Sequence, residues 1–281
     1  MSGTAAAKDG RNVGRPEAGG RRVTGLVVYP FKSARGVPVS AWRVDEAGLI
    51  DDRRWMVVDE EGAFVSQRTH PGMALLDVRL DDDAVEVVAP GMGPLRLDRA
   101  PRDPTGHASV RVWFSDRYAV DIGDTAARWM SEALGRACRV VEAVRPPDQP
   151  LLADDGRVRA GFADASPALV VSVASLDHLN RRLDVPLPMA RFRPNVVVEG
   201  FGPHEEDAWG SPRIGEVPTR GGRPCPRCAI TLVDPATGKR GVEPLRTLAT
   251  YRRNDRGEVD FGVNVSFAAP GTLHVGDAVV D

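Results

Sequence analysis

Apolar residues in this chain come in short runs that Gly, Pro or Asp interrupts, and this spacing limits the fold more than any other feature. Examples are Val23–Tyr29 and Trp55–Val58 in the first third, and Ala168–Val171, Asn195–Val198 and Ala229–Val233 in the second half. Short runs rich in β-branched and aromatic residues are typical of strands. The predicted fold class is therefore mainly β with a few helices, an α+β arrangement.

Two segments have helical character instead. Asp124 is placed to cap a helix over Thr125–Arg136, in which small and large apolar residues share one side. A second helix is predicted over Ser175–Leu183. Acidic segments at Asp59–Gly62 and Asp81–Asp83 separate apolar runs and predict hairpin turns, so the first third should be mainly antiparallel.

A polar segment with two adjacent prolines, Pro146 and Pro147, divides the chain near residues 145–160. Two consecutive prolines are incompatible with regular secondary structure, and 281 residues suffice for two domains of ordinary size. We predict a disordered tail over residues 1–22, a β-domain over 23–145 and a second β-domain over 146–281.

Charge and composition argue against several classes of function. The formal net charge is only −2, so no overall basic field attracts nucleic acid or an anionic membrane. The first 22 residues contain no apolar run, and we expect neither a secretory signal nor a membrane anchor. Three cysteines in 281 residues are too few for a disulfide framework, which favours a reducing compartment, the cytoplasm by default.

The motif with the clearest chemistry is Cys225–Cys228, a lone CxxC with Arg223 before it and Arg227 inside it. A structural zinc site needs two more Cys or His ligands, and a thioredoxin-type CxxC opens a helix, whereas a predicted strand over Ala229–Val233 follows here. Packing of both thiols in the core is the remaining structural interpretation. The arginines favour the thiolate, the form that binds a soft metal.

Other basic residues lie at predicted strand ends or in loops, where binding groups usually occur. They are Lys32 beside Ser33, Arg53, Arg68 and Arg193. Taken singly, each is most often a solvated charge or a weak surface ion pair. Together with one thiolate they suit an anionic metal cofactor, and one such cofactor is molybdenum held by the dithiolene sulfurs of a pterin, to which a protein adds a single cysteine.

Several motifs in one order resemble the MOSC family of molybdenum-cofactor proteins, most closely its mitochondrial and bacterial members that reduce amidoximes and N-hydroxylated bases. The motifs are Tyr29–Ser33, Gly36–Val39, Asp52–Trp55, Ser166-Pro167, Phe192–Asn195, Glu206–Trp209, Cys225–Cys228, Val233–Gly238 and Pro270–Asp277. The resemblance extends from Val23 to Asp281. It implies an N-terminal MOSC-type β-domain followed by a β-barrel MOSC domain.

The resemblance also implies roles for individual residues. Cys228 is expected to bind molybdenum, with Cys225 close to it. Contacts to the cofactor's phosphate and pterin are expected from Lys32, Ser33, Arg53 and Arg193, with Ser166 nearby and with Arg227 and Asn264 as further contacts. Ala165 stands where close relatives have a hydroxyl, so one hydrogen bond to the cofactor is expected to be missing. Asn195 and Asp207 are expected to hydrogen-bond loops instead.

The function implied is two-electron reduction of N–OH to N–H in small N-hydroxylated substrates. Electrons should come from a separate protein such as a ferredoxin, flavodoxin or reductase, because the cysteines supply no ligand set for an intrinsic iron–sulfur cluster; no pyridoxal phosphate is expected. The proton donor is open among Asp234, Asp207 and His70, and Cys138 is assigned only a packing role. Two alternatives are a cofactor carrier or sulfur-transfer module without reductase turnover, and a β-barrel adaptor that has lost its metal site.

Overall fold

The structure is a computed structural model that describes residues 20–103, 105–113, 115–144, 161–164 and 166–281. The predicted divide at 145–160, the position Ala165 and most of the predicted tail lie outside these residues. Arg22, the last residue of the predicted tail, is the first residue of the first strand. None of the helices in the described part of the chain is both long and apolar enough to cross a bilayer.

The described residues form eighteen strands and three α-helices, which confirms the mainly β prediction. In the first half the strands are β1 Arg22–Val28, β2 Val37–Val39, β3 Ala41–Asp45, β4 Gly48–Leu49, β5 Trp55–Val58, β6 Asp77–Leu80, β7 Ala84–Val88, β8 Leu95–Asp98, β9 Ala108–Val112, β10 Ser115–Asp121 and β11 Arg139–Ala143. In the second half they are β12 Ala168–Ser172, β13 Val196–Glu199, β14 Arg213–Ile214, β15 Val217–Pro226, β16 Asp260–Phe267, β17 Gly271–His274 and β18 Val279–Val280. The helices are α1 Asp124–Leu134, α2 Val173–Asn180 and α3 Leu245–Leu248, with 3₁₀ turns at Pro71–Leu75, Met189–Arg191, Glu205–Ala208 and Ala229–Leu232.

The largest sheet combines both ends of the chain. Its eight strands run in the order β18, β14, β15, β16, β12, β13, β1, β2. Strand β1 pairs antiparallel with β13, placing Leu26 opposite Val196, and β3 pairs in the same way with β17. Residues from β1 therefore share one buried apolar cluster with residues from β16 and β17. Residues 20–49 complete the sheet and core of the second half, and this brings the loops that follow β1 to the edge of that sheet.

The remaining strands of the first half build a separate core. Strands β5, β11, β10 and β9 form one sheet, and β6, β7 and β8 form another. Asp81 N donates to Ala84 O at 2.9 Å, which closes the predicted hairpin between β6 and β7. The Phe31 and Trp55 rings stack inside this core at 6.2 Å, and both are fully buried. The chain on either side of β5 is thereby held rigidly.

The helix boundaries differ from the prediction for local reasons. Gly123, at φ 108°, occupies the cap position of α1, while Asp124 is the first helical residue and binds Arg139 at 3.0 Å. The helix ends at Leu134 because Gly135 adopts a left-handed conformation, at φ 64°. Helix α2 begins two residues earlier than predicted, since Ser172 Oγ accepts a hydrogen bond from Ser175 N at 3.1 Å.

The strand predicted over Ala229–Val233 was wrong. Residues Ala229–Leu232 form a 3₁₀ turn, in which Thr231 N and Thr231 Oγ1 both donate to Cys228 O, at 3.1 and 3.0 Å. Thr231 is completely buried. Local hydrogen bonds from a buried threonine therefore override the β-branched pattern and turn the chain directly after Cys228.

A histidine pair lies away from this turn, against helix α2. His204, in a left-handed conformation at φ 62°, approaches His178 with 3.1 Å between His204 Nε2 and His178 Nδ1. The Tyr251 ring packs on His178 at 5.3 Å and the Phe261 ring on His204 at 5.9 Å. This apolar packing favours neutral imidazoles.

We expect the free energy of unfolding to fall as the pH drops below about 6.5 because of His204. Burial lowers the pKa of His204 to about 4 from 6.5, and Arg252 and His178 add to the effect. Between these values the unfolded chain binds a proton that the folded chain does not, so stability is lost as pH falls towards 4. Denaturant titrations at pH 7.0 and 4.5 should show that His204→Gln loses less free energy of unfolding between these pH values than the parent does. The expected difference is about 1–2 kcal/mol, which allows for the partial exposure of His204. Equal losses in both proteins would contradict the assignment.

Candidate functional site

A cleft of about 290 Å³ lies where loops of the first half meet the large sheet. Its volume is close to the lower end of the range for small-molecule sites, about 300–1,000 Å³. All eight predicted site residues line it, namely Lys32, Ser33, Arg53, Ser166, Arg193, Arg227, Cys228 and Asn264. The structure therefore brings together residues spread over more than 200 positions of sequence, while their roles toward a cofactor remain predictions.

Backbone hydrogen bonds hold the first two segments of the cleft side by side. Lys32 N donates to Trp55 O at 2.8 Å, and Trp55 N donates to Pro30 O at 3.0 Å. Arg53 N donates to Tyr29 O at 2.7 Å. Because Trp55 is buried in the core of the first half, these bonds fix Lys32 and Arg53 to a rigid element.

The cleft concentrates unusual backbone conformations. Among the described residues, six other than glycine have a positive φ, and four of them line the cleft: Ser33 at 70°, Arg53 at 50°, Trp113 at 58° and Arg193 at 56°. A left-handed conformation is costly for a residue with a side chain and persists only where the surroundings impose it. Such strain clusters at functional sites, which supports this cleft as the candidate.

Lys32 and Asp164 form the centre of an ion-pair network. Lys32, 5% exposed, donates from Nζ to Phe162 O at 2.7 Å and pairs with Asp164. Asp164 also accepts from Arg68 Nη2 at 3.0 Å and from Trp113 Nε1 at 2.9 Å. Burial raises the pKa of Asp164, but Lys32 and Arg68 outweigh it and hold that pKa well below its usual range. Because its pKa lies so low, the Asp164 carboxylate is ionised at neutral pH. Burial lowers the pKa of Lys32, and Asp164 opposes this effect.

The two thiols of the CxxC have different arginine partners. Arg68 Nη2 lies 3.1 Å from Cys228 Sγ. Arg227 instead lies 3.0 Å from Cys225 Sγ and donates to Phe192 O at 2.7 Å. Burial lowers the pKa of Arg68, but Cys228 and Asp164 outweigh it and raise that pKa overall. The cation nearest the Cys228 sulfur thus comes from the first half of the chain and not from the motif itself.

In a part of the cleft separate from the two thiols, the guanidinium groups of Arg53 and Arg193 pack over one aromatic ring. Arg53 and Arg193 lie 4.4 and 4.3 Å from the Tyr29 ring centre. Arg53 Nη1 donates to Asn195 Oδ1 at 2.9 Å and also pairs with Asp52. Burial lowers the pKa of Arg193 to about 10, an effect that Tyr29 opposes and Arg53 reinforces. A bound anion would relieve the repulsion between these two cations.

The charges of the cleft leave a positive excess. Five cationic side chains line it: Lys32, Arg53, Arg68, Arg193 and Arg227. Among the residues that the structure describes, the carboxylates paired with them are Asp52 and Asp164. Such an imbalance in a partly buried cleft is typical of a site for an anionic ligand.

The polar residues differ in how far their bonding is satisfied. Ser33 is 2% exposed, and its Oγ has no partner among the described residues. Ser166 Oγ donates to Val265 O at 3.0 Å. Asn195 lines the cleft and donates to Val27 O in strand β1 at 3.1 Å and to Asp52 Oδ1 in the loop between β4 and β5 at 2.9 Å. A buried hydroxyl without a partner is costly, so Ser33 marks a position prepared for a ligand.

The three proton-donor candidates do not line the cleft. Asp207 pairs with Arg252 elsewhere. Asp234 accepts from Ala236 N at 2.8 Å in a turn, and His70 Nε2 lies 3.2 Å from Arg136 Nη1. Each therefore has a local structural partner away from the predicted metal ligand.

Two cleft residues that carry polar groups were missed by the sequence interpretation, Asp164 and Trp113. Asp164 is a single carboxylate beside the proline-containing divide, and Trp113 directly follows β9, in which apolar and polar residues alternate. Neither belongs to a motif. Only strand pairing brings the β9–β10 turn and residue 164 to the same cleft, so no local pattern could have identified them.

Comparison with known proteins gives a consistent assignment. Residues 20–137 match the MOSC N-terminal beta barrel domain and residues 157–280 match the MOSC domain. Mitochondrial amidoxime-reducing component 1 of Mus musculus is 35% identical over 275 residues, covering 92% of this chain and 81% of the relative. Mitochondrial amidoxime reducing component 2 of Bos taurus and component 1 of Homo sapiens are also 35% identical, and each match covers 92% of this chain and 82% of the relative. The chain therefore belongs to the MOSC family, with a MOSC N-terminal barrel domain followed by a MOSC domain.

Proposed function

We propose that this protein is a molybdenum-cofactor-dependent reductase that converts N-hydroxylated compounds to the corresponding N–H compounds. The observation that carries the proposal is the position of Cys228, whose thiol shares one cleft with five cationic side chains and contacts Arg68. Relatives with 35% identity over 92% of the chain are named amidoxime-reducing components, which supports this substrate class.

The residues of the cleft fit an anionic pterin cofactor with one protein thiolate. Cys228 would supply the metal ligand, since thiolates are the soft ligands that proteins offer. Lys32, Arg53 and Arg193 would hold the negatively charged phosphate and pterin. Ser33 Oγ, buried without a partner, would complete its hydrogen bonding on the cofactor. The cleft therefore offers charge, a ligand atom and an unsatisfied donor together.

When bound, the cofactor would supply two-electron redox chemistry, by which N–OH, two electrons and two protons become N–H and water. The protein's own part is to orient the cofactor and to neutralise its negative charge. Asp164 holds both Lys32 and Arg68 in place, and Arg68 in turn contacts Cys228. Among the described residues that line the cleft there is no histidine, and Asp164 is ionised, so neither an imidazole nor this carboxyl group is offered to the substrate as a proton donor.

Two further properties belong to the proposal. Electrons would be supplied by a separate ferredoxin, flavodoxin or reductase, because three cysteines do not make up the four-cysteine ligand set of a common iron–sulfur cluster. Free thiols also favour a reducing compartment, for which we propose the cytoplasm. Fractionation of native cells with detection of the protein in each fraction would test the compartment.

The central test uses protein produced in a host that makes the cofactor. We expect about one molybdenum per chain, release of a fluorescent oxidised pterin, and oxidation of reduced methyl viologen when benzamidoxime is added without oxygen, with benzamidine as the product. Cofactor without turnover would favour the carrier alternative. Absence of both molybdenum and pterin would favour the adaptor that has lost its metal site and would overturn the proposal.

A further inference from the structure

Trp113 is an exposed aromatic residue at the cleft that the proposed chemistry does not use. It lies in the turn between β9 and β10, lines the cleft and is 41% exposed. Its φ of 58° places a bulky residue in the left-handed region, which is rare and marks a conformation imposed by its surroundings. A solvent-exposed tryptophan in such a conformation suggests a binding role.

The indole ring is held in one orientation by three contacts. Nε1 donates to Asp164 Oδ1 at 2.9 Å, the Arg68 guanidinium lies 4.4 Å from the ring centre, and Phe64 meets the ring edge-on at 5.1 Å. Asp164 and Arg68 are themselves joined at 3.0 Å. Two charged residues and one aromatic residue thus prevent the ring from swinging out of the cleft.

The same contacts connect the ring to the predicted metal ligand. Arg68, which lies against the indole, also places Nη2 at 3.1 Å from Cys228 Sγ. Arg68 therefore lies between the indole and the sulfur and covers one face of the ring, while the 41% exposure of Trp113 leaves other ring surface open for stacking. A substrate whose N–OH group reached the metal side of the cleft would extend its remaining atoms past Arg68 toward Trp113.

We propose that Trp113 is a stacking surface that selects substrates in which the N–OH group is conjugated to a planar aryl or heteroaryl ring. This inference rests on the proposed reductase function. Planar rings stack favourably on an indole face, and a fixed indole loses little freedom on binding. Aliphatic N-hydroxylated compounds have no ring to stack and gain nothing from Trp113.

The kinetic test compares benzamidoxime with acetamidoxime in the cofactor-loaded full chain. Loss of one stacking contact of ordinary strength corresponds to about a tenfold change in affinity. We expect Trp113→Leu to raise KM for benzamidoxime about tenfold with little change for acetamidoxime, and Trp113→Phe to retain most of the preference. Equal changes for both substrates would indicate a purely structural role and would overturn the inference, as would no change for either.

A second test detects binding without turnover. Titration of benzamidoxime into the full chain should quench tryptophan fluorescence, and the quenching should be largely absent in Trp113→Phe. Trp129→Phe is a matched control, because Trp129 lies on α1 and donates to Gly93 O at 2.8 Å, away from the cleft. Equal quenching in Trp113→Phe and the parent would overturn the inference.

The two tests separate this inference from the proposed function. A parent protein that binds benzamidoxime through Trp113 but reduces neither amidoxime would overturn the function and leave the stacking surface supported. If the parent reduces both amidoximes and its ratio of KM values equals that of Trp113→Leu, the function is supported and the stacking surface is overturned. Thermal melting and molybdenum content of each variant identify a variant that has failed to fold, in which case Trp113→Phe and the fluorescence titration decide.

Discussion

Cys228→Ala is expected to abolish molybdenum retention and to lower amidoxime reduction at least ~100-fold, since loss of even a supporting contact in a metal site costs about 10–100-fold. The Cys228 sulfur lines the cationic cleft and contacts Arg68 at 3.1 Å, and alanine offers no ligand atom. Metal analysis of purified protein measures the first effect, and anaerobic oxidation of a viologen dye with benzamidoxime measures the second. The fold should persist, because Cys228 is only half-buried.

Two cysteine variants serve as controls for this prediction. Cys225→Ala should keep most of its molybdenum, because the Cys225 sulfur lies against Arg227 at 3.0 Å and is not the predicted ligand. Cys138→Ala should keep its molybdenum but melt at a lower temperature, because Cys138 is buried in the core of the first half. If Cys225→Ala lost the metal while Cys228→Ala retained it, the ligand assignment would be wrong.

Arg193→Gln is expected to weaken cofactor retention by about 10–100-fold, the size of one lost hydrogen bond to a charged group. Arg193 lines the cleft, stands 4.3 Å from the Tyr29 ring and donates to Ala34 O at 2.6 Å. Glutamine removes the positive charge and the forked donor that suits a phosphate. The measurement is the pterin that remains bound after gel filtration, determined from the fluorescence of its oxidised product.

Matched variants separate charge from stability in this second prediction. Arg193→Lys keeps the charge but loses the fork, so its retention should lie between that of the parent and that of Arg193→Gln. Arg96→Gln removes an exposed arginine of β8 that pairs with Asp81 and Glu86, and it should retain as much pterin as the parent. Equal retention in Arg193→Gln and Arg96→Gln would show that the position holds no cofactor.

The fold class and eight residues of the cleft could be predicted because their signals are local or occur in a recognisable order. Short apolar runs predicted strands such as β1 and β5, and both are present. The motifs around Lys32, Arg193 and Cys228 pointed to one family, and all three residues line one cleft. The 3₁₀ turn after Cys228 escaped prediction because a buried threonine bonds back to the Cys228 carbonyl, a contact that no residue pattern shows.

The sequence by itself determined most of the elements and which side chains can carry charge and sulfur, because strand periodicity and residue chemistry act over a few positions. Only the tertiary structure decided how they meet. Strand β1 pairs with β13 across more than 160 residues, and this pairing brings the loop of Lys32 to the edge of the sheet. For the same reason Arg68 became the partner of Cys228, and Asp164 and Trp113 joined the cleft. Such contacts depend on long-range strand pairing and burial, which leave no trace in the spacing of residues along the chain.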